Sequence, residues 1–209
     1  MPDASLPDDE YKLMATLSDL ADRELVATIG WAKQVPGFLS LSLSDQMVLL
    51  QSTWLDIQCF NLVYRSSPYQ GILVFADDFK CSEDDAIKMG SPLEYDSVSR
   101  RLAKKLSRLM ITKEEYVLMK AILLLNPDMN VENTERVQEL QDRIHDALIE
   151  YERAHGVAAS QRRSGNLLLA LPLLMQAKIL AKEYWFQVKK SDRVPLHKLL
   201  SEMLEYARS

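Results

Sequence analysis

The sequence predicts an all-α domain carrying one short β element. Glycine and proline are scarce, at 6 and 8 of 209 residues. Apolar residues recur three and four apart along most of the chain, the spacing of one helix face. Strand-like composition is confined to Ile72-Leu73-Val74-Phe75. A first long helix is expected to start after Asp8-Asp9 and run through Leu13, Leu17, Leu20, Leu25 and Ile29 to Lys33, where Pro36-Gly37 ends it. Ser44-Asp45 is expected to cap a second helix through Met47, Leu50, Trp54, Ile57 and Tyr64. Pro68 and Gly71 frame the strand, which reads as half of a small hairpin. Further helices are expected near 92–109, 113–125, 133–155 and 161–188. Within the last, the apolar run Leu167–Leu174 contains Pro172 and reads as a buried helix with a bend. Pro195 can open a terminal helix, because its missing N–H is unbonded in a first turn anyway. Leu196, Leu199, Leu200, Met203 and Leu204 then share one face, with Glu202 at its edge.

Composition narrows the function classes. The apolar fraction is 47% and the charged fraction 26%, ordinary for one globular domain with its own core. Net charge is −5 with no basic stripe, which argues against nucleic-acid binding by this chain itself. Cys59 and Cys81 stand apart from any metal-ligand or disulfide spacing and fit a reducing compartment. The acidic start Met1-Pro2-Asp3 is unlike a signal peptide, and Leu167–Leu174 is too short for a membrane span. His145, His155 and His197 are scattered, so neither a metal site nor a cofactor is expected. No phosphate loop or nucleophile elbow appears, so the chain does not read as an enzyme. Glu114-Glu115 reads as dipole compensation at a helix start, and Arg100-Arg101 to Lys104-Lys105 as a solvated helix face.

The segment from Asp22 to Phe38, DRELVATIGWAKQVPGF, followed by Leu43–Gln51, LSDQMVLLQ, closely resembles the signature of nuclear-receptor ligand-binding domains. The resemblance continues through Val63–Ser66, Val74–Asp78, Lys113–Tyr116, Val137–Asp142, Leu171–Leu174 and Leu196–Glu205. The segments Ala76–Asp78 and Leu171–Leu174 are most similar to the estrogen-related branch. The resemblance implies a three-layer antiparallel helical sandwich over residues 1–209, entered just before the family's third helix and without a DNA-binding domain.

The resemblance also implies three working parts. A coactivator groove would use Ile29, Lys33, Phe38, Gln46, Met47 and Leu50, closed by Leu199, Glu202 and Met203 of the terminal helix. An LxxLL peptide forms a short helix whose leucines need an apolar trough. Its unbonded C=O groups suit Lys33 and its unbonded N–H groups suit Glu202. Glu24 and Arg65 would meet at one end of an internal cavity, either to hold a phenolic hydroxyl or as a structural ion pair. The cavity wall would comprise Leu17, Ala21, Leu55, Gln58, Cys59, Leu62 and Phe75, with Tyr184 and Trp185. Trp185 stands where relatives carry a smaller phenylalanine, so its indole would fill much of the space. A buried Gln58 needs hydrogen-bond partners, met by a polar ligand or water, or else its helix is rotated and it is half exposed. The implied partners are LxxLL coactivators, a second copy or a related receptor bound through 161–188, and a small lipophilic or phenolic ligand. DNA would be reached only through a separate domain, no membrane is implied, and the implied location is the nucleus. The runner-up is a domain that requires an estrogen-like hormone.

Overall fold

The computed structural model describes residues 8–155 and 160–206. Helix α1 spans Asp8–Ala32, so Lys33 lies in the turn beyond it. Gly37 takes a left-handed φ of 85°, and a Cβ there would collide with the Leu140 side chain, so both backbone and packing select glycine. A single 3-10 turn, Phe38–Ser40, leads to α2, Leu43–Ser66. The cap of α2 is Ser42, two residues before the expected one; its Oγ accepts from Asp45 N at 3.1 Å. Asp45 does something else. Its carboxylate accepts from the backbone N–H groups of Glu132 and Asn133, at 2.6 and 3.2 Å, and is 1% exposed.

The hairpin pairs β1, Ile72–Ala76, with β2, Phe79–Ser82, in antiparallel register Leu73↔Cys81 and Val74↔Lys80. The register shifts between Val74 and Ala76, leaving Phe75 unpaired. A six-residue helix α3, Glu83–Lys88, follows directly and was not expected; a capping box of Ser82 and Asp85 starts it. Helix α4 is Leu93–Leu109 and ends on Met110 at φ 47°. Helix α5, Lys113–Leu124, opens with a second capping box, Thr112 and Glu115. Helix α6 is Thr134–Ala154.

The expected single helix 161–188 is two helices, α7 at Ser160–Leu168 and α8 at Leu171–Ser191. Pro172 sits in the first turn of α8, where it costs no hydrogen bond, so the chain breaks rather than bends. Lys105 Nζ caps the break by donating to Leu169 O at 2.6 Å. The terminal helix α9 runs Lys198–Tyr206, three residues later than a Pro195 start.

Helix α2 lies in the middle of the sandwich and packs against α1, α4, α5, α8, α9 and β1. This explains its unbroken burial from Gln58 to Val63, since a helix covered on all sides cannot keep a polar face. The larger core joins α1, α2, α4, α8 and α9 around Leu25, Trp54, Phe60, Leu102, Leu174 and Leu204. A smaller core joins the end of α1 and the start of α2 to α5 and α6 around Phe38, Leu49, Ile57, Leu124 and Leu140.

Candidate functional site: an internal cavity and an adjoining groove

Between α1, α2, β1, α4 and α8 lies a cavity of about 70 Å³. Every residue expected at its wall lines it: Leu17, Ala21 and Glu24 from α1, Leu55, Gln58, Cys59, Leu62 and Arg65 from α2, Phe75 from β1, and Tyr184 and Trp185 from α8. Leu20, Ser91, Pro92, Tyr95 and Ala181 line it too. Ser91 and Pro92 carry no sequence signal for this role, because only the short α3 brings their loop against the cavity. Pockets that enclose drug-sized ligands measure roughly 300–1,000 Å³. The space here is far smaller. Trp185, 7% exposed and edge-on to Tyr184 at 5.2 Å between ring centroids, forms part of its wall.

One end of the cavity is polar. Arg65 Nη1 and Nη2 donate to the Glu24 carboxylate at 2.9 and 3.3 Å, and Arg65 Nε donates to Val74 O at 3.2 Å. The pair is not dry: the Arg65 side chain is 35% exposed and that of Glu24 20%. Asn61 Nδ2 donates to the same Glu24 oxygen at 2.8 Å, and the Tyr116 hydroxyl donates to Asn61 Oδ1. Tyr116 stacks on Tyr64 at 3.8 Å, and the ammonium of Lys120 lies 4.2 Å from the centroid of Trp31. Burial pushes the Tyr116 hydroxyl up and the Lys120 ammonium down in pKa. Asn61 and Tyr116 escape sequence reasoning because they meet across 55 positions of chain, and Lys120 because its Trp31 partner is on another helix.

Gln58 takes neither expected course. It is 9% exposed and donates from Nε2 to Ala21 O at 2.7 Å, so backbone satisfies it. Burial raises the Cys59 thiol to about 12, which leaves it protonated and unreactive. The Tyr184 hydroxyl is buried with no hydrogen-bond partner among the described residues.

The terminal helix is docked. Leu200, Met203 and Leu204 enter the larger core, and α9 packs against α1, α2 and α8. His197 Nε2 meets Asp19 Oδ1 of α1 at 2.7 Å. Lys189 Nζ donates to Glu205 Oε1 at 2.7 Å and to Ser201 O at 3.1 Å.

Helices α1 and α2, both packed against α9, each carry a row of uncovered apolar side chains. Val26, Ile29 and Lys33 follow the i, i+3, i+7 spacing on α1, as do Leu43, Met47 and Leu50 by i, i+4, i+7 on α2. Val26 is 57% exposed, Leu43 72% and Met47 49%, while Ile29, Leu50 and Leu199 are half-buried. Val26 and Leu43 were not expected there, although the spacing on each helix could have found them. Phe38 is a correction: at 1% exposed it belongs to the smaller core and offers no open surface. Met203, 5% exposed, likewise faces inward, and Gln46 Nε2 is turned onto Leu41 O at 2.9 Å. Lys33 is exposed and makes no ion pair or hydrogen bond among the described residues. Glu202 is exposed and, among the described residues, meets only Lys198, at 3.8 Å. Both charges are therefore available to an incoming helix.

The family described as the ligand-binding domain of nuclear hormone receptor matches residues 5–189. The chain belongs to the nuclear hormone receptor ligand-binding domain family. Among relatives of this receptor domain, human estrogen-related receptor gamma is 46% identical over 206 residues, covering 98% of this chain and 44% of the relative. Human steroid hormone receptor ERR2 is 46% identical over 211 residues, covering 98% and 47%. Estrogen receptor beta of Anguilla japonica is 34% identical over 216 residues, covering 98% and 38%. The chain thus spans less than half the length of these curated relatives. In this receptor domain, helix α8 and the turn before it show a second apolar surface outside the core: Leu169 of the turn is 63% exposed, and Met175 and Ile179 of α8 are 61% and 55% exposed. Met175 and Ile179, one turn apart, share a side of the helix with Lys178, whose ammonium meets Asp56 Oδ2 at 2.5 Å.

Proposed function

We propose that this receptor domain recruits LxxLL coactivators without a hormone and so regulates transcription in the nucleus as part of a DNA-binding receptor. One observation carries the reading. The cavity measures only about 70 Å³ with the Trp185 indole in its wall, and α9 packs against α1, α2 and α8. A large empty cavity would cost stability in proportion to its volume, roughly 24 cal/mol per Å³, and an agonist would act by removing that cost. Here little empty volume is left for an agonist to fill. The groove of Val26, Ile29, Leu43, Met47 and Leu50 suits the leucines of the peptide. Lys33 suits the peptide's C-terminal carbonyls and Glu202 its N-terminal N–H groups. The outer face of α8 suits a second copy or a related receptor.

The test pairs mass spectrometry of the purified domain, for retained small molecules, with the affinity of an LxxLL peptide. Binding in the low-micromolar range or better is expected with no ligand, about 8 kcal/mol. Glu202→Ala is expected to weaken it roughly ten-fold or more, by about 1.5–3 kcal/mol for a lost charge-assisted contact. A domain that ignores the peptide until a ligand is added would replace this reading with a hormone-requiring receptor domain. That second reading is favoured by the Glu24–Arg65 pair lining the cavity and by the unpartnered Tyr184 hydroxyl, both suited to a phenolic ligand.

A further inference from the structure

We infer that the cleft between α4 and the hairpin is a second docking site, separate from the coactivator groove, for a short acidic peptide segment. Five cations, Arg100, Arg101, Lys104, Lys105 and Arg108, fall within nine residues of α4 with no carboxylate among them. Two are spent inside the fold. Arg100 is held by Asp96 at 2.6 and 2.8 Å, and it donates to Gly71 O at 2.6 Å and Cys81 O at 3.2 Å. Lys105 caps the break before α8. The other three, Arg101, Lys104 and Arg108, make no ion pair or hydrogen bond among the described residues, and all three line one cleft of about 600 Å³. A run that reads as a merely solvated face is therefore divided: one part builds the cleft and one part faces into it.

The cleft is prepared in advance. Arg100 ties both ends of the hairpin to α4, so the two walls are fixed before anything binds, and little ordering entropy remains to be lost. Its far wall offers the exposed ring of Tyr69 and the backbone at Gly71. Arg101, Lys104 and Arg108 follow the i, i+3, i+7 spacing and span about 10 Å along the helix at 1.5 Å per residue. Carboxylates on alternate residues of an extended strand repeat about every 6.8 Å, so three or four residues cover that length. Arginine takes carboxylates by paired N–H···O bonds, and the tyrosine ring offers an apolar contact to a neighbouring side chain. A nucleic acid is disfavoured, because three free cations over about 10 Å match a few discrete carboxylates rather than the run of phosphates a nucleic-acid site neutralises, and Glu83, which also lines the cleft, calls for an uncharged peptide residue beside it.

The experiment is fluorescence anisotropy with a labelled short peptide alternating glutamate with leucine and tyrosine, and with the same peptide bearing glutamine for glutamate. The glutamate peptide is expected to bind at least ten-fold more tightly, and its binding to weaken as salt rises. The triple variant Arg101→Gln, Lys104→Gln, Arg108→Gln is expected to lose that preference while still binding an LxxLL peptide like the wild type. The double variant Arg101→Lys, Arg108→Lys, which keeps the charge, should retain measurable preference. Equal binding of the two peptides, or undiminished binding by the triple variant, would overturn the inference. So would tighter binding of a single-stranded oligonucleotide or of anionic vesicles in a parallel titration through the same three residues.

Discussion

Arg65 bonds to both oxygens of Glu24 and to the carbonyl of Val74, yet about a third of its side chain meets water. Water sets the strength of such a pair. A dry pair broken at one partner costs about 3–5 kcal/mol, and an exposed pair less than about 1 kcal/mol. Arg65→Ala is therefore expected to cost between these limits, roughly 1–3 kcal/mol in urea unfolding. A loss below about 0.5 kcal/mol would show that Asn61 alone suffices to hold Glu24. Trp185 lives under a different rule. Its indole is buried and packed, so Trp185→Ala should cost about 3–5 kcal/mol, open the cavity, lower ligand-free peptide affinity and make that affinity respond to added hydrophobic ligands. Unchanged affinity in a folded variant would show that the docking of α9 does not depend on the filled floor. At this scale the cavity wall was legible because its lining residues follow the motif residue by residue. Gln58 was not, since no spacing rule reveals that a side chain on α2 will reach a carbonyl on α1.

The element that matters most to the proposed function is α9, attached at its start by His197 to Asp19 and along its length by Lys189 to Ser201 and Glu205. The hydrogen bond that His197 donates to Asp19 raises the His197 pKa above its usual 6.5. A raised folded-state value means that this contact contributes fully below about pH 6.5 and is lost as pH climbs through the folded value. Hydrogen exchange of α9 amides, corrected for intrinsic rates, is thus expected to quicken across that window. His197→Gln should abolish the pH step, and a step that survives in His197→Gln would place the sensitivity elsewhere. Helical periodicity gave the existence of α9 and of six other helical segments, but the limits of an element depend on caps. Ser42 rather than Ser44-Asp45 starts α2, and Pro172 divides α7 from α8 instead of bending one helix. Helix α3 left no periodic signal, because six residues with a single buried side chain, Ala86, are too few to show one.

For the molecule as a whole, the apolar content of α8 exceeds what one core-facing stripe needs. Its inner side supplies Leu174, Ala177, Ala181, Trp185 and Val188 to the core, and Met175 and Ile179 remain outside. Met175→Glu with Ile179→Glu is expected to shift sedimentation at tens of micromolar from dimer to monomer and to leave LxxLL binding intact. A wild-type domain that sediments as a monomer would refute the dimer. The layered architecture was legible from the family motif and the helical spacing. The ties that cross it were not. Arg163 shows why: it pairs with Glu115 at 2.6 Å, holding that carboxyl below its usual pKa against the opposing effect of burial, across 48 positions of chain.

Asp45 is the clearest of these long ties, and it bears on how the domain meets a protease. The connection from Leu125 to Asn133 carries Pro127, Asp128 and Asn130, the composition of an easily nicked surface segment. Cleavage needs such a segment to lift away and straighten into the enzyme's cleft. Here the buried carboxylate of Asp45 grips its far end by two consecutive backbone N–H groups. Asp45→Ala should release that grip and turn an otherwise resistant stretch into the first point of cut in a timed digestion, yielding two fragments that part near residue 130. If the first cut instead falls at the same place and rate in both proteins, the grip does not protect the segment.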